Sequence, residues 1–169
     1  MKEAIQTLIT SDKMAHAFEY LKQDEAHTID QQIELVQISS FSPFEEKRAI
    51  RFKELLTEAG LDPVMDEVHN VYAHIHGTGN GPTLYVSAHL DTVFPPETPL
   101  PVKREGTKIY APGIGDDTRG LAEILTLARA IKESGLKPVG DIIIGGNVGE
   151  EGLGAVSYTH LRAHETSAH

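Results

Sequence analysis

The sequence has no cysteine among its 169 residues. This absence excludes a disulfide framework, a thiolate metal site and a thiol nucleophile, so any transition metal must be held by His, Asp and Glu. No apolar run is long enough to cross a bilayer, and the polar N-terminal stretch lacks the apolar segment of a signal peptide. We therefore expect a cytoplasmic protein with no membrane partner.

Basic residues are scarce and dispersed along the chain. There are 15 Lys and Arg against 25 Asp and Glu, giving a formal net charge of −10. Such a chain repels a phosphate backbone, which argues against a nucleic-acid partner. The hydrophobic fraction of 40% is that of an ordinary globular domain with one packed core.

The N-terminal third of the chain carries helical periodicity. Apolar residues at helical spacing predict two helices within residues 11–38, divided near Asp24. A third helix is indicated by Ser42 as N-cap, Pro43 in the first turn and Glu45 as the acid of a capping box. We interpret this third helix as scaffold.

The middle of the chain changes to strand patterns. Residues 64–68, 71–77 and 82–90 predict three strands, and the last is the most apolar, so we expect it at the centre of a sheet. A helix over 118–133 and a strand over 141–144 follow. The order strand, helix, strand describes a βαβ unit, which predicts an α/β fold with a central mixed sheet and helices on its faces.

The last residues depart from this pattern. From Val156 the composition shifts abruptly to His, Thr and Ala, and VSYTHLRAHET resembles a translated sequencing adapter. We therefore predict that residues 1–155 are the N-terminal part of a truncated domain and that residues 156–169 are a non-native tail. The tail imitates a helical zinc motif, which we interpret as coincidental. Its members are His160, His164, Glu165 and His169.

Three short motifs carry candidate chemistry, and the first ends the most apolar strand. In SAHLDTV, strand alternation turns His89 and Asp91 to the same side, so the carboxylate can orient the imidazole toward a metal. A hydrogen-bonded histidine beside a turn-forming aspartate is the alternative, and the motif alone leaves the choice open.

The second motif, APGIGDDTRG, precedes the long helix. The adjacent carboxylates of Asp116 and Asp117 repel each other unless a cation lies beside them. Helix capping by Asp117 or Thr118 accounts for one acid but not for both.

The third motif, GGNVGEEG, follows the final strand. Its glycines disfavour a helix, so Glu150 and Glu151 are not explained as a solvated helical face, although a solvated loop stays open. Together the three motifs favour a metal site, because each lies at a strand end or a helix start.

HLDTV, GIGDDTRG and GNVGEEG, in this order and spacing, resemble the metal-site motifs of the co-catalytic zinc exopeptidases and deacylases, which include peptidase T, carboxypeptidase G, aminoacylases and desuccinylases. The resemblance implies that Asp91 orients a ligand, that Asp116 bridges two metals before a cis peptide to Asp117, and that Glu150 is the general base. The implied metal ligands are His89, Asp116 and Glu151.

The resemblance also implies an activity. We expect hydrolysis of an amide bond in small peptides or N-acyl amino acids by a water held between two zinc ions, with Co²⁺ or Mn²⁺ as substitutes. The segment GDDTRGLAEIL favours the peptidase T-like branch, and the parent enzyme is expected as a homodimer. Two further ligands of the family would follow Gly154, so we expect the 169 residues alone to be inactive.

Two other interpretations are kept. A non-catalytic acidic module could bind one calcium or magnesium ion through Asp116, Asp117 and Glu151, but it does not explain why His89 precedes Asp91. Alternatively, the chain is a truncation that has no stable fold.

Overall fold

A computed structural model describes residues 2–151 of the chain. It contains five helices and six strands in this part. The helices are α1 (Lys2–Ile9), α2 (Asp12–Gln23), α3 (Glu25–Val36), α4 (Glu46–Glu58) and α5 (Thr118–Glu133). The strands are β1 (Val64–Met65), β2 (Val71–Ile75), β3 (Leu84–His89), β4 (Lys103–Glu105), β5 (Lys108–Tyr110) and β6 (Ile142–Asn147).

The main sheet has four strands in the order β1-β2-β6-β3, and β4 pairs with β5 in a separate hairpin. Strands β3 and β6 are parallel neighbours joined through α5, which confirms the predicted βαβ unit. Strands β1 and β2 are antiparallel, so the sheet is mixed as predicted.

The prediction that β3 is the central strand is wrong. It lies at the edge of the described sheet, and Leu84 at its start is 56% exposed. Strand β6 takes the central position, with β2 on one side and β3 on the other. Apolar content alone misled the prediction, because β6 combines three isoleucines with two glycines and so has fewer apolar side chains than its position suggests.

The core lies between the sheet and two helices. Val71, Ala73, Ala88 and Ile144 share one face of the sheet by strand register and pack in one buried cluster with α4 and α5. Helices α2 and α3 also pack against α5, and Leu35 of α3 joins the buried cluster. Within residues 2–151 no helix combines the length and apolarity needed to cross a membrane.

The predicted division of the N-terminal helices at Asp24 is confirmed, since α2 ends and α3 begins there. Asp24 is buried and accepts hydrogen bonds from Thr126 and Arg129 of α5, which ties both helices to the βαβ unit. Helix α1 was not predicted.

The predicted start of the third helix is wrong. Helix α4 begins at Glu46 and not near Ser42, and the side chain of Glu45 makes no capping hydrogen bond. Ser42 and Pro43 instead form a turn with a cis peptide bond before the helix. The capping-box pattern therefore occurs in a loop, and helix capping does not account for the burial of Glu45.

Candidate metal centre

His89 is the last residue of β3 and lies where the parallel strands β3 and β6 end. Its Nδ1 is 3.0 Å from the backbone carbonyl of Asp91 and 3.5 Å from the Asp91 carboxylate. Both neighbours accept hydrogen bonds, so Nδ1 carries a proton and the ring is held in one orientation. Its Nε2 faces the other way, toward Asp116 at 2.8 Å.

Asp116 and Asp117 have different tasks. The Asp117 carboxylate accepts hydrogen bonds from the N–H of Gly120 at the start of α5 and from the N–H of His89. It therefore caps the helix and joins it to β3. Asp116 lies across a cis peptide bond from Asp117, and its side chain is 76% exposed beside the imidazole. The capping interpretation is thus correct for Asp117 and leaves Asp116 available to a ligand.

Asp91 organises the loop after β6. Its fully buried carboxylate accepts the backbone N–H of Glu150 at 3.0 Å and of Glu151 at 2.8 Å. These two hydrogen bonds replace the strand pairing that ends at Asn147. The carboxylate thus connects the imidazole of His89 to the paired glutamates.

One side chain from each motif meets at this point. Ligand atoms of His89, Asp116 and Glu151 all lie within 4.8 Å of one another. One imidazole nitrogen with two carboxylates is a donor set suited to zinc and similar divalent ions. The residues present therefore fit a metal. Glu150 is exposed and is not a member of this cluster.

The electrostatics of the cluster favour a positive charge. Burial disfavours the imidazolium of His89, but hydrogen bonds to Asp91 and Asp116 outweigh this and raise its pKa to about 9. Burial also opposes ionisation of Asp91, yet the hydrogen bonds from His89 and from the N–H groups of Glu151 and Glu150 hold the pKa of that carboxyl below its usual value. His89 therefore keeps its proton at neutral pH, and this positive charge lies where a metal cation would be held.

A cavity of about 300 Å³ opens beside Asp116 and Glu151. Apart from these two carboxylates its walls are apolar or small. The other lining residues are Thr92, Val93, Phe94, Ala111, Gly113, Ile114 and Gly115. A small molecule in this cavity would contact the carboxylates at one end and apolar side chains elsewhere.

The structure thus brings together three of the predicted site residues, His89, Asp116 and Glu151, with Asp91 behind them, while their roles stay predictions. The tail histidines lie outside the described residues. Sequence reasoning missed three buried polar residues: Glu45 and Arg48 near Asp91, and Asn70 beside the loop after β6. A signal existed for Arg48, because it lies four positions before the core residue Phe52 on the apolar stripe of α4.

The chain is similar in sequence to known peptidases. The sequence model of the peptidase family M20/M25/M40 matches residues 85–168, about half of the chain. This range includes all three motifs and also part of the tail set aside above. Carboxypeptidase G2 of Pseudomonas sp. (strain RS-16) is 38% identical over 84 residues, which are 48% of this chain and 20% of that protein.

Solved structures share the fold. A tripeptidase from Staphylococcus aureus subsp. aureus Mu50 superposes with a TM-score of 0.63 at 32% identity, over 75% of this chain and 37% of that one. The YxeP protein of Bacillus subtilis, a dinuclear metal-binding peptidase, superposes with a TM-score of 0.64 at 15% identity, over 87% of this chain and 41% of that one. The chain therefore spans well under half the length of these relatives.

Proposed function

The chain belongs to the peptidase family M20/M25/M40, and from the geometry of its candidate metal centre we propose that it supplies part of the active site of a metal-dependent amide hydrolase. The proposed activity is that of a complete protein, since the relatives are considerably longer than this chain.

The observation that carries the proposal is the meeting of His89, Asp116 and Glu151 within 4.8 Å. They come from three separate motifs, at the end of β3, before α5 and after β6. A structural role does not require these three side chains to converge at a partly exposed point. Carboxylates beside each other are unfavourable unless a positive charge lies between them, so convergence supports a metal site.

We propose zinc as the metal, because an imidazole with carboxylates suits it. Two bound divalent ions would lower the pKa of a shared water and polarise the scissile carbonyl. His89 would hold one ion through Nε2, Asp116 would contact both, and Glu151 would hold the other. Asp91 would keep His89 in the tautomer that offers Nε2.

Glu150 is the proposed general base. Its backbone is held by Asp91, whereas its side chain is exposed and outside the metal cluster. As the neighbour of Glu151 in the chain, Glu150 would lie beside the metals without holding them. It can therefore accept a proton from a nucleophilic water and return it to the leaving nitrogen.

The substrate class is a small peptide or an N-acyl amino acid. The cavity beside Asp116 supports a short substrate, because its 300 Å³ match a small molecule and not an extended chain. The apolar side chains of Val93, Phe94 and Ile114 would contact an apolar group next to the scissile amide. A cytoplasmic location and a homodimeric parent enzyme belong to the same proposal.

The alternative of a calcium or magnesium module receives no support from the comparisons. It is also less consistent with the site, because His89 contributes a nitrogen and Asp117 is engaged in capping α5. Calcium and magnesium prefer oxygen ligands throughout.

The test is a hydrolysis assay on the complete protein, that is, on the full-length product of its gene. Dipeptides, tripeptides and N-acyl amino acids are offered with zinc, after chelation, and after zinc is restored. We expect turnover of one of these classes that is lost on chelation and regained with zinc. Turnover that survives complete metal removal would refute the proposal, as would stoichiometric calcium binding without hydrolysis of any substrate.

A further inference from the structure

The loop that follows β6 carries both predicted glutamates and has no strand partner. Its four residues 148–151 nevertheless leave no free backbone donor, because a buried side chain faces each N–H group. The N–H of Val148 donates to Asn70 Oδ1 at 3.0 Å. The N–H groups of Glu150 and Glu151 donate to Asp91.

The remaining N–H of the loop, that of Gly149, interacts with the carboxylate of Glu45. Gly149 has a φ of 68°, a left-handed conformation that glycine adopts without a steric penalty. Glu45 comes from the turn before α4, so the carboxylate reaches the loop from a different element than Asn70 or Asp91. The loop is therefore held from three sides.

All three side chains are buried, with exposed fractions of 3% for Glu45, 2% for Asn70 and 0% for Asp91. Burying two carboxylates together is unfavourable, and burial with the charge of Asp91 raises the pKa of Glu45. The fully buried guanidinium of Arg48 lies near Asp91 and donates to the carbonyls of Ile38 and Leu90. A positive charge behind the site thus offsets part of the repulsion.

Asn70 is itself held in place by hydrogen bonds to Asp66. Its side-chain amide donates to Asp66 Oδ2 and its backbone N–H to Asp66 Oδ1, both at 2.9 Å. Its Oδ1 is therefore directed at Val148 and is not free to rotate. Such an arrangement stabilises one conformation of the loop.

We propose that Asn70 and Glu45 are positioning residues that, together with Asp91, fix residues 148–151 and so direct Glu150 and Glu151 toward the candidate metal centre. The inference deepens the proposed function, since it explains how the two glutamates keep separate orientations on adjacent residues. It concerns residues that act through the loop backbone and contact neither metal nor substrate.

The experiment uses the 169-residue chain with His160, His164 and His169 replaced by Gln, and it makes two measurements. The first is residue-resolved hydrogen exchange by NMR, which compares the amides of residues 148–151 with core amides of α5 such as Leu125. The second is zinc affinity by competition with a chelating dye. The variants Asn70→Ala and Glu45→Ala remove an acceptor, whereas Glu45→Gln keeps an oxygen acceptor without charge. Ser134→Ala is the matched control, because it removes a buried hydrogen bond at the far end of α5.

In Asn70→Ala and Glu45→Ala we expect the loop amides to exchange about tenfold faster relative to Leu125, because each loses one hydrogen-bond partner. Zinc affinity should fall by about 10–100-fold, as for other groups that orient metal ligands. Glu45→Gln should restore most of both quantities, and Ser134→Ala should change neither relative to the core.

The inference is overturned if loop and core amides accelerate equally in the alanine variants, which would show a general loss of stability. It is also overturned if Ser134→Ala lowers zinc affinity as much as they do. Should the unmutated chain itself bind no zinc, the metal centre formed by His89, Asp116 and Glu151 would be contradicted, while the exchange measurement would still decide whether Asn70 and Glu45 hold the loop.

Discussion

The buried carboxylate of Asp91 accepts the backbone N–H of Glu151 at 2.8 Å while it lies 3.5 Å from the imidazole of His89. One side chain thus couples the end of β3 to the loop after β6. This relationship explains why the motif needs an acid two residues after the histidine, since a shorter or neutral side chain cannot serve both neighbours at once.

Replacing Asp91 should therefore cost stability even without metal. Asp91→Ala leaves two loop N–H groups without their acceptor and removes one of the two carboxylates beside the imidazole of His89, so we expect the free energy of unfolding to fall by about 2–4 kcal/mol. Urea denaturation measures this. Asp62→Asn, at an exposed aspartate, serves as the control. An equal loss in both variants would contradict the role given to Asp91.

The close packing of β6 against α4 gives a second prediction. A Cβ at Gly146 would lie 2.8 Å from Cε1 of Phe52, whereas one at Gly115 would meet no heavy atom within 4 Å. Gly146→Ala should destabilise the chain by about 1–3 kcal/mol, because the ring must move within a packed core. Gly115→Ala should stay within about 0.5 kcal/mol of the parent. Thermal and urea unfolding compare the two, and equal stabilities would show that the sheet and helix are less tightly packed than described.

The Asp24 carboxylate predicts an acid-dependent stability. Burial disfavours its charge, but hydrogen bonds from Thr126 and Arg129 hold the pKa of Asp24 below its usual 3.8. A lowered pKa means that the stabilisation is complete above 3.8 and disappears as the pH falls through the folded-state pKa.

Asp24→Asn should thus destabilise the chain by about 3–5 kcal/mol at pH 7, because Arg129 remains buried without its counter-charge. The difference from the parent should shrink as the pH falls below 3.8. Unfolding curves from pH 7 to pH 2.5 test this. A difference that stays constant across that range would show that the charge of Asp24 contributes nothing.

In the complete protein, substitution of the two adjacent glutamates should have opposite effects on kcat and on zinc content. Glu150→Gln keeps the shape but cannot accept a proton, so we expect kcat to fall by about 10²–10⁴-fold with zinc retained. Glu151→Gln should first lose zinc, because it removes a ligand. Zinc stoichiometry and kcat for both variants separate the roles, and a normal kcat in Glu150→Gln would require them to be exchanged or abandoned.

Sequence reasoning predicted the local structure where the apolar periodicity and the turn-forming residues indicate the same element. Helix α5 and the division at Asp24 follow from apolar spacing, and the second and third motifs are recognised by acids placed between glycines. The sequence misplaced β3, because strand order depends on pairing between distant segments and not on the apolar content of one of them.

The surroundings of Asp91 were also beyond sequence reasoning. The sequence pattern predicts a capping acid at Glu45 and a turn residue at Asn70, and both are common roles for these residue types. Their burial beside the loop depends on contacts across 104 and 78 positions of the chain. Long-range hydrogen bonds of this kind leave no periodic signal in the sequence.

The most direct test of the metal centre is a zinc titration of the 169-residue chain and of His89→Gln. His160, His164 and His169 are replaced by Gln in both, so that tail histidines cannot bind zinc, and His76→Gln at an exposed histidine is the control. We predict saturable zinc binding that His89→Gln weakens by roughly tenfold or more and His76→Gln leaves unchanged. Equal affinity in the parent and His89→Gln would contradict a metal centre at His89, Asp116 and Glu151.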